Sequence, residues 1–139
     1  VHPHHCDVRL VKLFGDVTNY RMGIVPRSEG AWREFKYGSA ITTNGPGSLT
    51  ATGRRAELLV AKKETLDTTG LYMKAWELHT IYVQGGCRAA WLVIEGAEDP
   101  DYEPLCWSRN ETHDLTGLYK PMTAQEAAAI LQITFNEMR

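Results

Sequence analysis

Two runs rich in β-forming residues, 71–83 (LYMKAWELHTIYV) and 87–94 (CRAAWLVI), are separated by Gln84-Gly85-Gly86. A Gly-Gly pair tolerates the positive φ of a two-residue hairpin turn, so this stretch restricts the chain to an antiparallel arrangement. If the turn sets the register, Tyr82 faces Ala89, Thr80 faces Trp91 and Leu78 faces Val93. Side chains alternate with period two. Trp76, Leu78, Tyr82, Trp91 and Val93 are then expected on the core face, with Glu77, His79, Ile81, Arg88 and Leu92 opposite.

Residues 7–14 (DVRLVKLF), 19–25 (NYRMGIV) and 32–40 (WREFKYGSA) are short, bounded by Gly or Pro, and read as further strands. Residues 54–64 (RRAELLVAKKE) read as a helix, because Ala, Glu, Leu and Lys dominate. A second helix is better signposted. Pro121 precedes Thr123, a candidate N-cap, and Glu126 completes a capping box. Ala127, Ile130, Leu131, Phe135 and Met138 then form an apolar stripe, which predicts an amphipathic helix over 124–138 packed on one face of the sheet. The fold class that follows is α+β: a mostly antiparallel sheet with a Gly-Gly hairpin at 71–94 and a C-terminal helix.

A chain of 139 residues, 43% hydrophobic and 23% charged, suits one globular domain spanning 1–139. Residues 1–6 are expected to fray. Residues 42–53 (TTNGPGSLTATG), rich in Gly, Ser and Thr, are expected to form a mobile loop. A net charge of −2 supplies no overall basic field, so nucleic-acid binding would need a local patch. No apolar run reaches transmembrane length, which predicts a soluble protein. Cys6, Cys87 and Cys106 form no C-x-x-C pair and are odd in number, which favours a reducing, intracellular compartment. The absent initiator Met points to processing from a longer precursor.

Several residue sets bear on chemistry. His2, His4, His5 and Cys6 concentrate imidazole and thiol donors suited to a divalent transition metal, the one cofactor the sequence suggests. His79, Cys87, Cys106 or His113 are the distant residues available to complete such a site; a His-rich frayed end is the competing reading. Asp16 followed by Glu34-Phe35-Lys36 has the outline of a metal-dependent nuclease or phosphodiesterase, two carboxylates holding an ion and a lysine assisting. The same pattern arises on any amphipathic strand. Arg54, Arg55, Lys62 and Lys63 would share a helix face beside the Gly-rich loop, a modest phosphate-binding stripe or simply a solvated face.

The frame E-T-x-D-x-T-G-L-Y occurs twice, from Glu64 and from Glu111. Asp67 and Asp114 can accept backbone N–H bonds in an Asx-turn, and Gly70 and Gly117 suit positive φ before a strand. As architecture the repeat is a strand entry; as a site it would present Asp67, Tyr72, Asp114 and Tyr119 to one ligand. With no converging catalytic groups, the sequence reads as a non-enzymatic binding module. It would engage a macromolecular partner, protein or nucleic acid, through residues 42–55 and an exposed sheet face. The alternatives are the nuclease and a structural, possibly viral and oligomeric, subunit.

Overall fold

The computed structural model describes residues 1–37, 49–98, 101–103, 105–110 and 122–138. In chain order the elements are β1 (Cys6–Phe14), β2 (Val17–Pro26), β3 (Trp32–Tyr37), β4 (Leu49–Thr65), β5 (Leu71–Met73), β6 (His79–Val83), β7 (Ala90–Glu98), β8 (Leu105–Ser108) and α1 (Ala124–Glu137). Every strand pairing is antiparallel. The strands form a three-stranded sheet, β5-β1-β7, and a five-stranded sheet, β6-β2-β4-β3-β8. The α+β class therefore holds, dominated by antiparallel sheet.

The chain changes sheets at Gly15-Asp16, between β1 and β2. Gly15 takes φ of 78° there, and a Cβ on it would lie 2.4 Å from the Arg88 carbonyl oxygen. No other residue fits so tight a crossing. Across it the two sheets share one apolar core, in which Cys6, Val8 and Leu10 of β1 meet Val17, Leu66 and Met73. A second cluster lies inside the five-stranded sheet: Ala56, Leu58, Leu78 and Trp107, flanked by Val1, Met22 and Trp32.

The N-terminal segment closes that five-stranded sheet. Val1 exchanges backbone hydrogen bonds with Trp107 of β8, 2.8 Å and 3.1 Å long. His2 exchanges two with His79 of β6, each 3.1 Å. Since β2 occupies the inner side of β6 and β3 that of β8, these bonds occupy part of both outer edges, at His79 and Trp107. Residues expected to fray are thus the closing stave of a small barrel-like sheet.

Two sequence expectations are corrected. The Gly85-Gly86 turn exists, with Gly86 at φ of 81° and a Cys87 N–H to Gln84 carbonyl bond of 3.0 Å. It does not close a hairpin. β6 pairs with β2 and β7 with β1, in different sheets, and residues 71–73 pair with β1 as well. Register is therefore set by these partners, and the expected core face holds only at Leu78, which is buried, and Trp91, which packs against the core. Trp76 (66% exposed) and Tyr82 (52%) point to solvent, while His79 of the supposed outer face is buried. Residues 54–64 are not helical either, but the second half of β4, hydrogen-bonded to β2 and at one end to β3. Helix propensities differ by only about 0.7 kcal/mol per residue among ordinary residues, which long strand pairing outweighs. The period-two burial of Ala56 and Leu58 agrees with the strand.

The C-terminal helix forms as expected. Thr123 caps it, with its hydroxyl accepting from Glu126 N–H and the Glu126 carboxylate accepting from Thr123 N–H at 2.8 Å. The helix lies against β1, but its apolar stripe is not buried: Ile130, Leu131, Phe135 and Met138 are all about half exposed. Residues 42–48 of the Gly-rich loop, and Asp114 and Tyr119 of the second repeat, lie outside the described residues. No described helix is long and apolar enough to cross a membrane.

Candidate metal centre

His2 and His4 are two residues apart on an extended segment, so their side chains leave the same side. Pro3 is buried and His5 is exposed on the other. The backbone pairing of His2 with His79, and a 3.0 Å bond from His4 N–H to the Ala75 carbonyl, hold this segment over the start of β6. The imidazoles of His2, His4 and His79 consequently converge, each offering one ring nitrogen within 4.8 Å of the other two. Ring centroids are 4.8 Å to 5.2 Å apart.

His79 is fixed from behind. Its Nδ1 lies 2.7 Å from Asn19 Oδ1, which can only accept, so Nδ1 carries the proton and Nε2 presents its lone pair to the cluster. Asn19 is itself fully buried on β2, with its amide Nδ2 donating to Met73 Sδ at 3.6 Å. A metal-ligating histidine ordinarily has such a partner on its remote nitrogen, and the amide supplies it here. His4 Nε2 lies 2.8 Å from His79 Nε2. Two nitrogens bound to one tetrahedral zinc ion would sit about 3.3 Å apart, so an ion would spread His4 and His79 by roughly half an ångström and draw the wider-spaced ligand nitrogens, now up to 4.8 Å apart, inward.

The electrostatics favour neutral ligands. Burial, reinforced by neighbouring His2 and His4, lowers the His79 pKa to about 3. Burial, with His4 beside it, lowers that of His2 to about 4. Burial also lowers His4, with Glu95 acting in the opposite direction. Three imidazoles that resist a second proton stay neutral at neutral pH; His4 Nε2, donating to the His79 Nε2 lone pair at 2.8 Å, would pass its ring proton to Nδ1 when an ion binds. Three nitrogen donors suit zinc, copper, cobalt or nickel rather than calcium or magnesium, which take oxygen.

Of the histidine and cysteine candidates, then, His2 and His4 join His79, and His5 does not. Cys6 turns into the apolar core beside Val8 and Leu10, where burial raises its thiol pKa and disfavours the thiolate a metal requires. Asn19 went unnoticed in the sequence. Its one signal is a polar residue two positions after Val17, on the inward face of a strand.

The other candidates are held apart. Asp16 lies at the start of β2, whereas β3 packs near the far end of that strand. Asp16 and Glu34 therefore lie toward opposite ends of the β2–β4–β3 ladder. Both Glu34 carboxylate oxygens are engaged, one accepting from the Thr52 hydroxyl at 2.8 Å and one paired with Arg54 at 3.0 Å. Lys36 pairs with Glu103 at 2.8 Å. No two-carboxylate metal site is assembled from these three residues.

The basic residues do not form one stripe. They lie on β4, with Arg54 and Arg55 toward its middle and Lys62 and Lys63 near its C-terminal end. Arg55 reaches toward the Gly30 carbonyl at 3.5 Å, Lys62 pairs with Glu64 at 2.6 Å, and Lys63 sits over the Tyr20 ring. Asp67 forms the turn of the first repeat, accepting from Thr69 N–H at 2.9 Å and Gly70 N–H at 3.0 Å, with Gly70 at φ of 87°. Tyr72 donates to the Asp7 carboxylate, which also pairs with Lys74 at 2.8 Å. These groups line a groove of about 700 Å³ with Arg9, Trp76 and Glu95, but Asp7, Tyr72 and Lys74 satisfy one another within it. Comparison with protein-family models, curated proteins and solved structures finds no match.

Proposed function

We propose that the protein is a metal-binding, non-catalytic binding domain, in which His2, His4 and His79 hold one divalent transition ion, zinc foremost. The convergence of three neutral imidazoles, with His79 oriented by Asn19, is the observation that supports this reading. The ligands come from the closing N-terminal segment and from the edge strand it pairs with. An ion bound there would clamp the barrel-like sheet shut at its seam. Zinc sites that stabilise a fold work this way, converting binding free energy into folding free energy. Three protein ligands leave a fourth position for water or for a group brought by a partner.

The test is metal analysis of protein purified without an affinity tag, followed by titration calorimetry with zinc, cobalt and nickel. One ion per chain is expected, with chelation lowering the melting temperature. His4→Ala should weaken binding at least about tenfold while preserving the far-UV spectrum, since His4 is only half-buried. His5→Ala should leave binding unchanged. Equal affinity in His4→Ala and the parent protein would refute the site.

A further inference from the structure

Strand edges attract other strands, and among the described residues three of the four sheet edges are short or partly paired. Pairing with His2 and Val1 occupies part of the outer edges of β6 and β8. β5 is only three residues long. The fourth edge, β7, is nine residues long, and no described strand pairs with its outer side. Its first half is the unprotected part: residues 91–94 read Trp-Leu-Val-Ile, without proline, lysine or any charge, whereas Glu95, Glu98 and a register shift against β1 guard the second half. Leu92, Val93 and Ile94 are 49%, 41% and 46% exposed, so both faces of the strand present apolar side chains at this edge.

We propose that this edge pairs with the same edge of a second copy of the chain, antiparallel and centred on Val93, joining two three-stranded sheets into one of six strands. The register follows from charge and apolar matching. Centred on Val93, the pairing sets Val93 against Val93, Leu92 against Ile94, Ala89 against Ala97, and Arg88 against Glu98 at both ends. Centring on Ile94 instead sets Val93 against Glu95, and centring on Leu92 sets Glu98 against Gly86. Only the Val93 centre gives the acidic end of β7 a basic partner. Arg88 is well placed for this, being 72% exposed and held near the strand by Glu137 of α1 at 3.3 Å. A twofold axis through one residue makes the contact self-complementary and closed, so it yields a dimer rather than a fibre. One paired strand buries less than the roughly 1,200 Å² of a standard stable interface, so dissociation in the micromolar range is expected.

The experiment is sedimentation equilibrium of the full chain from about 1 to 200 µM, spanning that range. A reversible monomer–dimer equilibrium is expected. Arg88→Glu should raise the dissociation constant about tenfold, and adding Glu98→Arg should restore it. Leu92→Lys with Ile94→Lys should give a monomer whose metal stoichiometry is unchanged. In a Cys87→Ser background, Val93→Cys should oxidise to a covalent dimer, because directly opposed residues of an antiparallel pair lie within disulfide reach. A monomer at every concentration overturns the proposal, and so does a dimer in which Val93→Cys fails to cross-link. The contact is independent of the histidine centre, so His4→Ala should dimerise like the parent.

Discussion

At the scale of single residues, Asn19 decides more than its place in the sequence suggests. Of the four residues at the seam it is the one without a ligand atom for the metal, yet it selects the His79 tautomer and holds the ring in place. Replacing it by Leu removes the acceptor and leaves His79 Nδ1 without its partner in a buried position. Asn19→Leu should therefore lower zinc affinity about 10- to 100-fold, the usual effect of losing a partner behind a ligand, as measured by competition with a chromogenic chelator. Asn19→Asp keeps an acceptor and should retain most of the affinity. Equal affinities for Asn19→Leu and the parent would mean that Asn19 has no part in the centre. The two histidines of the N-terminal segment were readable in the sequence as donors. Their selection over His5 was also implicit, since an extended segment sends alternate residues the same way; that Cys6, two positions further on, turns into the apolar core was not. That the third ligand would be His79 was not readable, because nothing local links residues 2 and 79.

At the scale of elements, the local signals were strongest where a segment carries its own instructions. Thr123 and Glu126 cap α1 as their spacing requires, and Asp67 with Gly70 builds the turn that enters β5. Both depend on bonds spanning three residues or fewer. Segments whose conformation depends on distant partners were misread. β4 has a helix-former composition but becomes the longest strand, since β2 and β3 supply its backbone partners. The Gly85-Gly86 turn was correctly placed, but a turn cannot specify which strands its flanks will join. Gly15 is the contrasting case, a glycine whose tertiary role gives a sharp expectation. At φ of 78°, with the Arg88 carbonyl 2.4 Å from any Cβ, Gly15→Ala must shift backbone on one side or the other. It should destabilise the fold by about 2–4 kcal/mol in urea unfolding, combining positive-φ strain with the clash. A loss below about 0.5 kcal/mol would show that the crossing between the sheets is not so tight.

At the scale of the whole molecule, the histidine cluster ties stability to pH. Unfolded histidines titrate near 6.5, whereas in the fold His2 resists protonation until about 4 and His79 until about 3. As pH falls below about 6.5 the unfolded chain takes up protons that the folded chain refuses, so stability must decline across that window. Asp7 contributes differently. Lys74 and Tyr72 hold its carboxyl at about 2, so its contribution is intact above the ordinary carboxyl range and is lost only as pH falls toward 2. Above the carboxyl range, between about pH 6.5 and 5, the decline is therefore that of His2 and His79, with the buried Val1 amino group, also lowered, acting in the same direction. In chelator, the urea midpoint of the parent should fall steadily over this range, and that of His79→Gln should fall less. Parallel curves for the two proteins would contradict the assignment. From its sequence alone this chain determined what near neighbours can arrange: the strand-rich antiparallel class, the capped helix, the Asx-turn and a supply of metal donors at its start. Only the tertiary structure decided which strands pair, that residues 1–2 close the five-stranded sheet, and that His79 meets His2 and His4. The physical reason is range. Caps and turns are set by bonds over a few residues, whereas strand register is set by partners many residues away, whose choice depends on burying both apolar clusters at once.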